Sequence, residues 1–208
     1  MTILMATRNR GKAAEVTNLL GRAGWDVKTL DDVDGAPTVE EDGATFVENA
    51  RKKARSAAAF SSTWVLAEDA GLEVDALCGE PGVLSARYCG PGASDADRIR
   101  RVLERIVAVP DERRTARFRC VMCVVDPAGI EAVFEGTCSG RISHHPRGSA
   151  GFGYDPIFIP DGYSRTFGEL GLRVKAKISH RAVALRQVIG YLRERVPGPL
   201  FELPVAHD

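Results

Sequence analysis

The chain has 208 residues, 44% of them hydrophobic, and its 28 lysines and arginines balance its 28 aspartates and glutamates. This is enough apolar material for a sizeable core in one domain or one two-lobed unit, expected at 1–196 with a tail at 197–208. The balanced charge argues against a broad nucleic-acid-binding surface. No stretch approaches the roughly 20 apolar residues that cross a bilayer, and no secretory signal pattern is present, so we expect a cytoplasmic protein without membrane contact.

A basic loop near the start predicts an anion site. It lies between an apolar run, residues 3–6, and a helical pattern near residues 11–23. Backbone N–H groups and the positive dipole end of a helix start attract anions, and basic side chains add to this. The candidate residues are Thr7, Arg8, Asn9, Arg10, Gly11 and Lys12. A plain basic surface turn is the alternative, and the spacing of a Walker-type loop is missing.

An acidic stretch, residues 40–42, precedes a predicted helix near residues 44–60. Thr45 and Glu48 have the spacing of a capping box at the start of that helix. Lys53 follows Thr45 by a little over two helical turns and can point back towards an anion. Acidic residues at a helix start are also ordinary partners of the helix dipole. Glu41 is therefore either part of a site for triphosphate chemistry or such a dipole partner.

A strand predicted at residues 64–68 ends in two carboxylates, Glu68 and Asp69, and a small turn leads to a second strand at 72–75. Ligands of open α/β sheets collect beyond the carboxyl ends of strands. Asp69 is therefore the best single candidate for a metal ligand or a base. A capping carboxylate is the alternative.

The middle of the chain predicts structural elements. A helix near residues 94–107 begins at Ser94, and strands near 116–126 and 130–137 form a hairpin, which makes the sheet mixed. Cys120 and Cys123 lie in the first of these strands, where positions three apart face opposite sides, so they are expected as buried thiols and not as a zinc or redox pair.

Residues 149–158 predict a loop that holds a flat heterocycle, followed by a strand at 157–159. Glycines on both sides of Phe152 permit close backbone approach or positive φ. Phe152 or Tyr154 can offer a ring face, and Asp155 supplies a carboxylate. The candidates are Phe152, Gly153, Tyr154 and Asp155. A β-turn with its aromatic side chains in the core is the alternative.

A last cluster, residues 175–181, leads into a helical pattern at residues 180–195. Ser179 has the character of an N-cap, which puts His180 and Arg181 in the first turn, where cations oppose the helix dipole. A nearby anionic ligand relieves that penalty. Exposure of both side chains to water is the alternative.

Together these segments resemble the noncanonical purine nucleoside triphosphate pyrophosphatases, also called inosine triphosphatases or XTP/dITP diphosphatases. The motifs that carry the resemblance occur in order along nearly the whole chain: Thr7-x-Asn9-x-x-Lys12, Glu41, Phe46-x-Glu48-Asn49-Ala50, Lys53-Ala54, Glu68-Asp69-x-Gly71-Leu72, Pro81-Gly82-x-x-Ser85-Ala86-Arg87-Tyr88, Gly151-Phe-Gly-Tyr-Asp-Pro156 and Ile178-Ser-His-Arg181.

The resemblance implies an α/β fold with an elongated mixed sheet, flanking helices and a central nucleotide-binding cleft, in a homodimer. It implies Mg²⁺-dependent hydrolysis of ITP, dITP or XTP to the monophosphate and pyrophosphate. Asp69 is then the proton acceptor and a metal ligand with Glu41. Residues 7–12 and Lys53 are implied triphosphate contacts. The implied nucleoside contacts are Phe152, Gly153, Tyr154, Asp155, Lys175, His180 and Arg181.

Two positions depart from the family pattern. The common Asp-Asp-Ser-Gly stretch reads Glu68-Asp69-Ala70-Gly71, so at Ala70 only the backbone can contact substrate. The acidic neighbour usual beside the lysine near position 175 is missing, and alignment to the Ser-His-Arg motif favours Lys175 over Lys177.

The chemistry leaves alternatives open. Paired carboxylates suit Mg²⁺, which takes only one or two protein carboxylates with phosphate oxygens and water, but a γ-phosphate hydrolase needs much the same charges. Donors from the His180–Arg181 turn favour the 6-oxygen of hypoxanthine and xanthine over the amino group of adenine, and the wall around Phe152 and Asp155 is expected to exclude guanine. A Maf-like pyrophosphatase acting on other bases and a non-catalytic nucleotide sensor are the competing functions.

Overall fold

The structure, a computed structural model, describes residues 1–36 and 38–196; the expected tail at 197–208 lies outside the described residues. Its strands and longer helices are β1 (Thr2–Met5), α1 (Arg10–Arg22), β2 (Asp26–Thr29), α2 (Phe46–Ala58), β3 (Trp64–Val74), α3 (Asp95–Arg105), β4 (Thr115–Val125), β5 (Glu131–Ile142), β6 (Phe158–Pro160), α4 (Phe167–Ile178) and α5 (His180–Arg195).

The strands form one mixed sheet, which confirms the expected α/β class. Its order is β2-β1-β3-β4-β5-β6. β1 runs parallel to β2 and to β3, whereas β6 runs antiparallel to β5. A turn at residues 126–129 joins the neighbours β4 and β5, as predicted, and Asp126 N donates to Ile130 O across it at 3.0 Å.

The chain divides into two compact units. Unit 1 comprises residues 1–69, 121–135 and those from 184 onward, and unit 2 comprises residues 70–120 and 136–183. Strands β3, β4 and β5 each supply residues to both units. The sequence left open one domain or a two-lobed unit. Each unit has its own core and its own polar cluster.

In unit 1, helix α2 presents one apolar side and carries two polar residues on the same side. Phe46, Ala50 and Ala54 are buried, and so are Asn49 and Lys53. These positions recur at the three- and four-residue spacing of one helix face. The predicted capping box is confirmed, because Thr45 accepts from Glu48 N while the Glu48 side chain accepts from Thr45 N. The cap thereby fixes where Asn49 and Lys53 point.

Strand β3 corrects the expectation of two strands separated by a turn. It runs unbroken from Trp64 to Val74, so Asp69 lies within the strand and is not a capping carboxylate at its end. The small residues Ala70 and Gly71 remain extended because neither forces a turn. Glu68 and Asp69 are tolerated in a buried strand because each has a lysine partner, Lys12 for Glu68 and Lys53 for Asp69.

Unit 2 has an aromatic core around Phe118. The Phe118 ring lies 4.7 Å from that of Phe158 and 6.4 Å from that of Phe167, measured between centroids. Leu72, Val74, Val102 and Ile106 belong to the same buried cluster. Strand β4 supplies residues to both units, and its Cys120 in unit 2 and Cys123 in unit 1 are buried free thiols, as expected.

Helix α4 was not predicted from the sequence. Its two internal glycines have the character of helix breakers, and Gly171 does adopt non-helical angles, φ 76° and ψ 175°, at a kink. The helix nevertheless forms, because Thr166 caps it with Glu169 as the reciprocal partner. Helix α5 starts at His180 as predicted, and Ser179 Oγ accepts from Ala182 N at 3.2 Å.

The loop before β6 is held against the start of α4 by one backbone and one side-chain hydrogen bond and by close backbone packing. Ala150 N donates to Gly168 O at 3.0 Å, and Thr166 Oγ1 donates to Arg147 O at 2.7 Å. A Cβ on Gly148 would lie 2.2 Å from the backbone of Gly168.

Across residues 1–36 and 38–196, no helix has both the length and the apolar character needed to span a bilayer.

The close approach of Gly148 to the backbone of Gly168 predicts that an alanine substitution destabilises the protein more at Gly148 than at Gly162, a glycine of similar backbone conformation. Gly148 has φ +74° and Gly162 has φ +81°, but a Cβ on Gly162 meets nothing within 4 Å. Each alanine substitution costs about 1–2 kcal/mol for left-handed backbone. Gly148→Ala should lower the free energy of unfolding by roughly 1–3 kcal/mol more than Gly162→Ala because of steric overlap. Urea denaturation measures both, and equal losses would show that the loop does not need this contact.

Candidate active site

The basic loop forms the predicted helix start in unit 1. Asn9 is the N-cap of α1 and accepts from Lys12 N at 3.1 Å, while Thr7 Oγ1 accepts from Asn9 N at 3.1 Å. Arg10 and Gly11 begin the helix, with Arg10 exposed. Arg8 turns elsewhere: its guanidinium donates to Asp31 at 2.9 Å and to the carbonyl oxygen of Ala36 at 3.0 Å. Arg8 therefore stabilises the segment that follows β2.

A carboxylate–lysine cluster lies in unit 1, made of Lys12, Glu41, Asn49, Lys53, Glu68 and Asp69. Its centre is Lys53, whose Nζ lies 3.1 Å from Glu41 Oε1 and 3.5 Å from Asp69 Oδ1. The neighbouring Asp69 carboxyl group is also among the effects that lower the pKa of Glu41, after the larger effect of Lys53. Because Lys53 and Asp69 are buried, neither charge is stable there without the other. The two carboxylates predicted to act together are thus brought to one place.

Asn49 organises both sides of this cluster. Its Nδ2 donates to Asp69 Oδ2 at 3.0 Å, and its Oδ1 accepts from Gly43 N at 2.8 Å. A Cβ on Gly43 would lie 2.7 Å from Asn49 Oδ1, so only glycine fits this approach. Through Gly43, the amide fixes the segment that carries Glu41.

The two acids titrate in opposite directions. Burial raises the pKa of Glu41, but Lys53 and Lys12 outweigh it, so the pKa lies below its usual value. Burial likewise raises the pKa of Asp69, the charge of Glu41 adds to that effect, and the lysines do not cancel it. Environments that push paired carboxyl pKa values apart distinguish a proton acceptor from a permanent anion. Asp69 has the character of the acceptor.

A second lysine closes the cluster. Lys12 Nζ lies 3.3 Å from Glu68 Oε1, and the Glu68 side chain is almost fully buried. The charge of Lys12 also favours the ionised forms of Glu41 and Asp69, although burial keeps the pKa of Asp69 above its usual value. Ala70 follows in β3, half-buried and without a polar side chain. The cluster therefore gathers three acids and two lysines from four segments of the chain.

An aromatic–basic cluster lies in unit 2, made of Phe152, Asp155, Lys175, His180 and Arg181. Lys175 Nζ stands 4.4 Å from the centroid of the half-buried Phe152 ring, and Arg181 Cζ stands 5.7 Å from it. Cations at these distances are attracted by the ring face. Two positive groups and one flat ring are the elements that an electron-rich heterocycle requires.

Asp155 holds the cluster together. Its Oδ2 accepts from Lys175 Nζ at 2.5 Å and from Phe152 N at 2.9 Å. Asp155 and Lys175 are nearly fully buried, whereas Lys177 is exposed, which agrees with the preference for Lys175. Gly151 has φ +80°, and a Cβ there would lie 2.0 Å from Asp155 Oδ2. Glycine is therefore required before Phe152 for both conformation and space.

The structure also distinguishes the two rings that the sequence left open. Tyr154 is buried in the core of unit 2, and its hydroxyl donates to Ser85 O at 2.9 Å. Burial raises the pKa of Tyr154, so the hydroxyl stays protonated and keeps this bond. Gly153, the residue between Phe152 and Tyr154 in the sequence, donates its N–H to Asp95 Oδ2 at 2.7 Å. Phe152 is the better candidate for stacking, and Tyr154 anchors the loop.

His180 and Arg181 are buried, so the expected alternative of two solvent-exposed cations is wrong. The His180 ring stacks on Phe118, with centroids 4.7 Å apart and an interplanar angle of 13°. The predicted first-turn position of both residues is confirmed. A buried arginine beside a helix N-terminus is costly unless anionic or electron-rich groups compensate it.

The donors present fit Mg²⁺. No group of three or more His, Cys, Asp or Glu side chains placed to hold a metal occurs among residues 1–36 and 38–196. Glu41 and Asp69 instead supply two neighbouring carboxylates. Mg²⁺ is usually held by one or two carboxylates together with substrate phosphates and water, so this open pair of donors suits it better than an all-protein cage would.

Three contact residues were not predicted: Asn49 and Glu68 of the carboxylate–lysine cluster, and Asp95, which accepts from Gly153 N. Asn49 stands four residues before Lys53, a spacing that puts both on one helix face and can be found in the sequence. Glu68 has the local character of a strand end, which conceals its contact with Lys12. Asp95 is 58 residues from its partner Gly153, and no local pattern indicates that contact.

Comparison with known proteins gives one family. Residues 3–191 match the sequence model of the Ham1 family. A dITP/XTP pyrophosphatase of Symbiobacterium thermophilum is 50% identical over 201 residues, covering 96% of this chain and 97% of the relative. One from Exiguobacterium sibiricum is 47% identical over 188 residues, covering 90% and 95%. The solved HAM1 protein of Coxiella burnetii has a TM-score of 0.84 at 41% identity, covering 93% and 99%. The chain belongs to the Ham1 family.

Proposed function

We propose that the protein hydrolyses noncanonical purine nucleoside triphosphates, ITP, dITP and XTP, to the monophosphate and pyrophosphate. The observation that carries the proposal is Lys53 set between Glu41 and Asp69. Nucleotide binding alone does not require two acids around one buried lysine, so this arrangement argues against a non-catalytic nucleotide sensor. The relatives named dITP/XTP pyrophosphatase support the same reaction class.

The carboxylate–lysine cluster is proposed to receive the triphosphate. A triphosphate carries close to four negative charges, which repel an approaching water molecule unless they are neutralised. Lys12 and Lys53 are positioned as counter-charges, and Arg10 is exposed at the start of α1, where helix N–H groups also favour anions. Their charge stabilises the pyrophosphate that leaves when water attacks the α-phosphorus.

Asp69 is proposed to accept the proton of the attacking water. Burial and the neighbouring Glu41 raise its pKa, and a base works best when its pKa approaches the working pH. Asn49 Nδ2 occupies Asp69 Oδ2 and so fixes the direction of the other oxygen. Lys53 Nζ lies 3.5 Å from that oxygen, Oδ1, and keeps the carboxylate oriented without substrate.

Glu41 and Asp69 are proposed to hold Mg²⁺. When bound, the ion supplies a Lewis acid that polarises phosphate oxygens and lowers the pKa of a coordinated water. Glu41 stays ionised because its pKa is lowered, which makes it suited to bind a cation. Asn49 positions both carboxylates by its contacts with Gly43 and Asp69.

The aromatic–basic cluster is proposed to receive the purine. The base stacks on Phe152, and donors from Lys175, His180 and Arg181 face its oxygen atoms. An oxygen at purine position 6 accepts from such donors, whereas the amino group of adenine leaves them unsatisfied, at a cost of about 1–3 kcal/mol each. Exclusion of guanine by the wall around Phe152 and Asp155 stays a prediction. As the motif resemblance implies, we also propose that the enzyme is a homodimer, and we keep the cytoplasmic location expected from the sequence as a proposal.

The first test identifies the products and the acids. Purified protein with ITP and Mg²⁺ should release pyrophosphate and inosine monophosphate. Asp69→Asn should lower kcat by about 100- to 10,000-fold, the range of lost acid–base catalysis, and Glu41→Gln should also lower it. The matched control is Asp42→Asn, next to Glu41 but exposed and paired with Lys52, which should stay within about twofold of wild type because surface ion pairs contribute little.

Orthophosphate as the first product would contradict attack at the α-phosphorus. Tight ITP binding without turnover would favour the sensor, and efficient turnover restricted to other bases would favour a Maf-like activity. Full activity in both Asp69→Asn and Glu41→Gln would overturn the roles of the two acids.

The second test measures the metal. Chelation should abolish ITP hydrolysis and Mg²⁺ should restore it, because without the ion the negative charges of Glu41 and Asp69 would repel the triphosphate. Glu41→Gln should raise the Mg²⁺ concentration needed for half-maximal activity by about tenfold, since it removes one of two anionic ligands. A Mg²⁺ titration at saturating ITP gives this value. An unchanged Mg²⁺ requirement would remove Glu41 from the ligand set.

The third test measures the base. ITP and XTP should be hydrolysed with higher kcat/KM than ATP and GTP. Phe152→Ala should raise KM for ITP by about tenfold, because base stacking on an aromatic side chain is worth roughly 1–3 kcal/mol. Tyr163→Ala is the control, since that ring lies in the same unit and is partly exposed at 37%. Comparable kcat/KM for all four nucleotides would refute the selectivity.

A further inference from the structure

The loop that carries Phe152 is fixed by three hydrogen bonds at three successive residues. Phe152 N donates to Asp155 at 2.9 Å, and Tyr154 OH donates to Ser85 O at 2.9 Å. Between them Gly153 N donates to Asp95 Oδ2 at 2.7 Å, the shortest of the three. Asp95 is the one partner of these three that belongs to none of the sequence motifs of the site.

Phe152 depends on such bonds because glycines stand on both sides of it. Gly151 has φ +80° and Gly153 has φ +60°, and both lack a side chain that would restrict the backbone. A Cβ on Gly153 would meet nothing within 4 Å, so no neighbouring atom crowds the side-chain position of this residue, and its N–H bond to Asp95 is a specific restraint on it. The direction of the Phe152 ring is therefore set by how firmly the peptide groups of Phe152 and Gly153 are held.

Asp95 is itself well anchored. It is the first residue of α3, next to the N-cap Ser94, where a negative charge is favoured by the helix dipole. Its Oδ1 contacts Arg98, whose guanidinium also donates to Ala86 O at 3.0 Å and to Ala93 O at 2.7 Å. With Oδ1 committed to Arg98, Oδ2 is left directed at Gly153, and a hydrogen bond to a charged acceptor is stronger than a neutral one.

A second aspartate of the same helical turn provides a natural contrast. Asp97 accepts from Ser94 N and Ser94 Oγ and pairs with Arg100. These bonds lower its pKa to about 2, and they serve the end of the helix. Asp97 therefore stabilises α3, whereas Asp95 connects α3 to the Phe152 loop.

We propose that Asp95 is a positioning residue for the purine, which holds Gly153 N–H so that the Phe152 ring faces Lys175 and Arg181. The role of the loop in base binding rests on the function proposed above. In this role Asp95 contacts no substrate atom. It acts through the peptide of Gly153, and its removal should weaken base binding while leaving phosphate chemistry intact.

The test compares Asp95→Ala, Asp95→Asn and Asp97→Ala in steady-state hydrolysis of ITP. Asp95→Ala should raise KM by about tenfold with kcat within about threefold of wild type, since the lost bond leaves Gly153 N–H unsatisfied. Asp95→Asn retains an acceptor for Gly153 and should recover most of the affinity. Asp97→Ala weakens the helix cap but should leave KM unchanged.

A readout that needs no activity separates this proposal from the proposed function. Hydrogen exchange of a peptide covering residues 149–155 should be at least about tenfold faster in Asp95→Ala than in wild type, and unchanged in Asp97→Ala. If wild type does not hydrolyse ITP, the proposed function fails while the exchange result still decides whether Asp95 holds the loop.

Three outcomes would overturn the positioning role. The first is an unchanged exchange rate in Asp95→Ala. The second is an equal rise in KM in Asp97→Ala, which would assign the effect to helix stability. The third is a fall in kcat at constant KM in Asp95→Ala, which would place Asp95 in the chemistry. If Asp95→Ala does not fold, Asp95→Asn is measured in its place. This variant keeps an acceptor for Gly153 N–H, so hydrogen exchange of residues 149–155 that is faster than in Asp97→Ala would contradict the positioning role.

Discussion

The position of Lys53 between Glu41 and Asp69 is the constraint on which unit 1 depends. A buried ammonium group and a buried carboxylate each lose hydration, and only their mutual proximity compensates for it. The distances of 3.1 and 3.5 Å show one cation shared by two acids. Three segments must therefore arrive together: the stretch before α2, helix α2 and strand β3. Asn49 makes that arrangement specific, because it bonds both Gly43 and Asp69.

Features governed by neighbours in sequence were predictable. The capping box at Thr45 and the N-caps at Ser94 and Ser179 follow from residue types at fixed short spacings, and the structure forms all three. The continuity of β3 was not predictable by the same means. Two adjacent acids end a strand by local rules, and only lysines from other elements make them acceptable within it. The kinked helix α4 was missed because its glycines act as breakers locally, while the cap at Thr166 starts the helix regardless.

The site shows the same limit more sharply. Residue types alone predict functional roles for Asp69, Lys53 and Phe152, because charge and ring character belong to the side chain. Which of Phe152 and Tyr154 stays accessible depends on the core of unit 2, where Tyr154 reaches Ser85 across 69 positions of sequence. Adjacency places Arg8 in the anion loop, yet its guanidinium is directed to Asp31. The spacing of residues in the sequence predicts which residues belong to a loop. The direction in which each side chain points depends on partners that are distant in sequence.

Each unit contains a buried lysine–aspartate pair, and their geometries suit different tasks. Lys175 lies 2.5 Å from Asp155, whose same oxygen also accepts from Phe152 N. That arrangement gives one carboxylate oxygen two donors at short distances, which suits the binding surface proposed for a planar base. Lys53 is instead divided between two carboxylates at longer distances. In the function proposed above, Glu41 and Asp69 would hold a metal ion whose charge would offset theirs, and Lys53 could then turn to a phosphate oxygen. The looser pair is therefore the one suited to a change of charge during a reaction, and the tighter pair is suited to recognition.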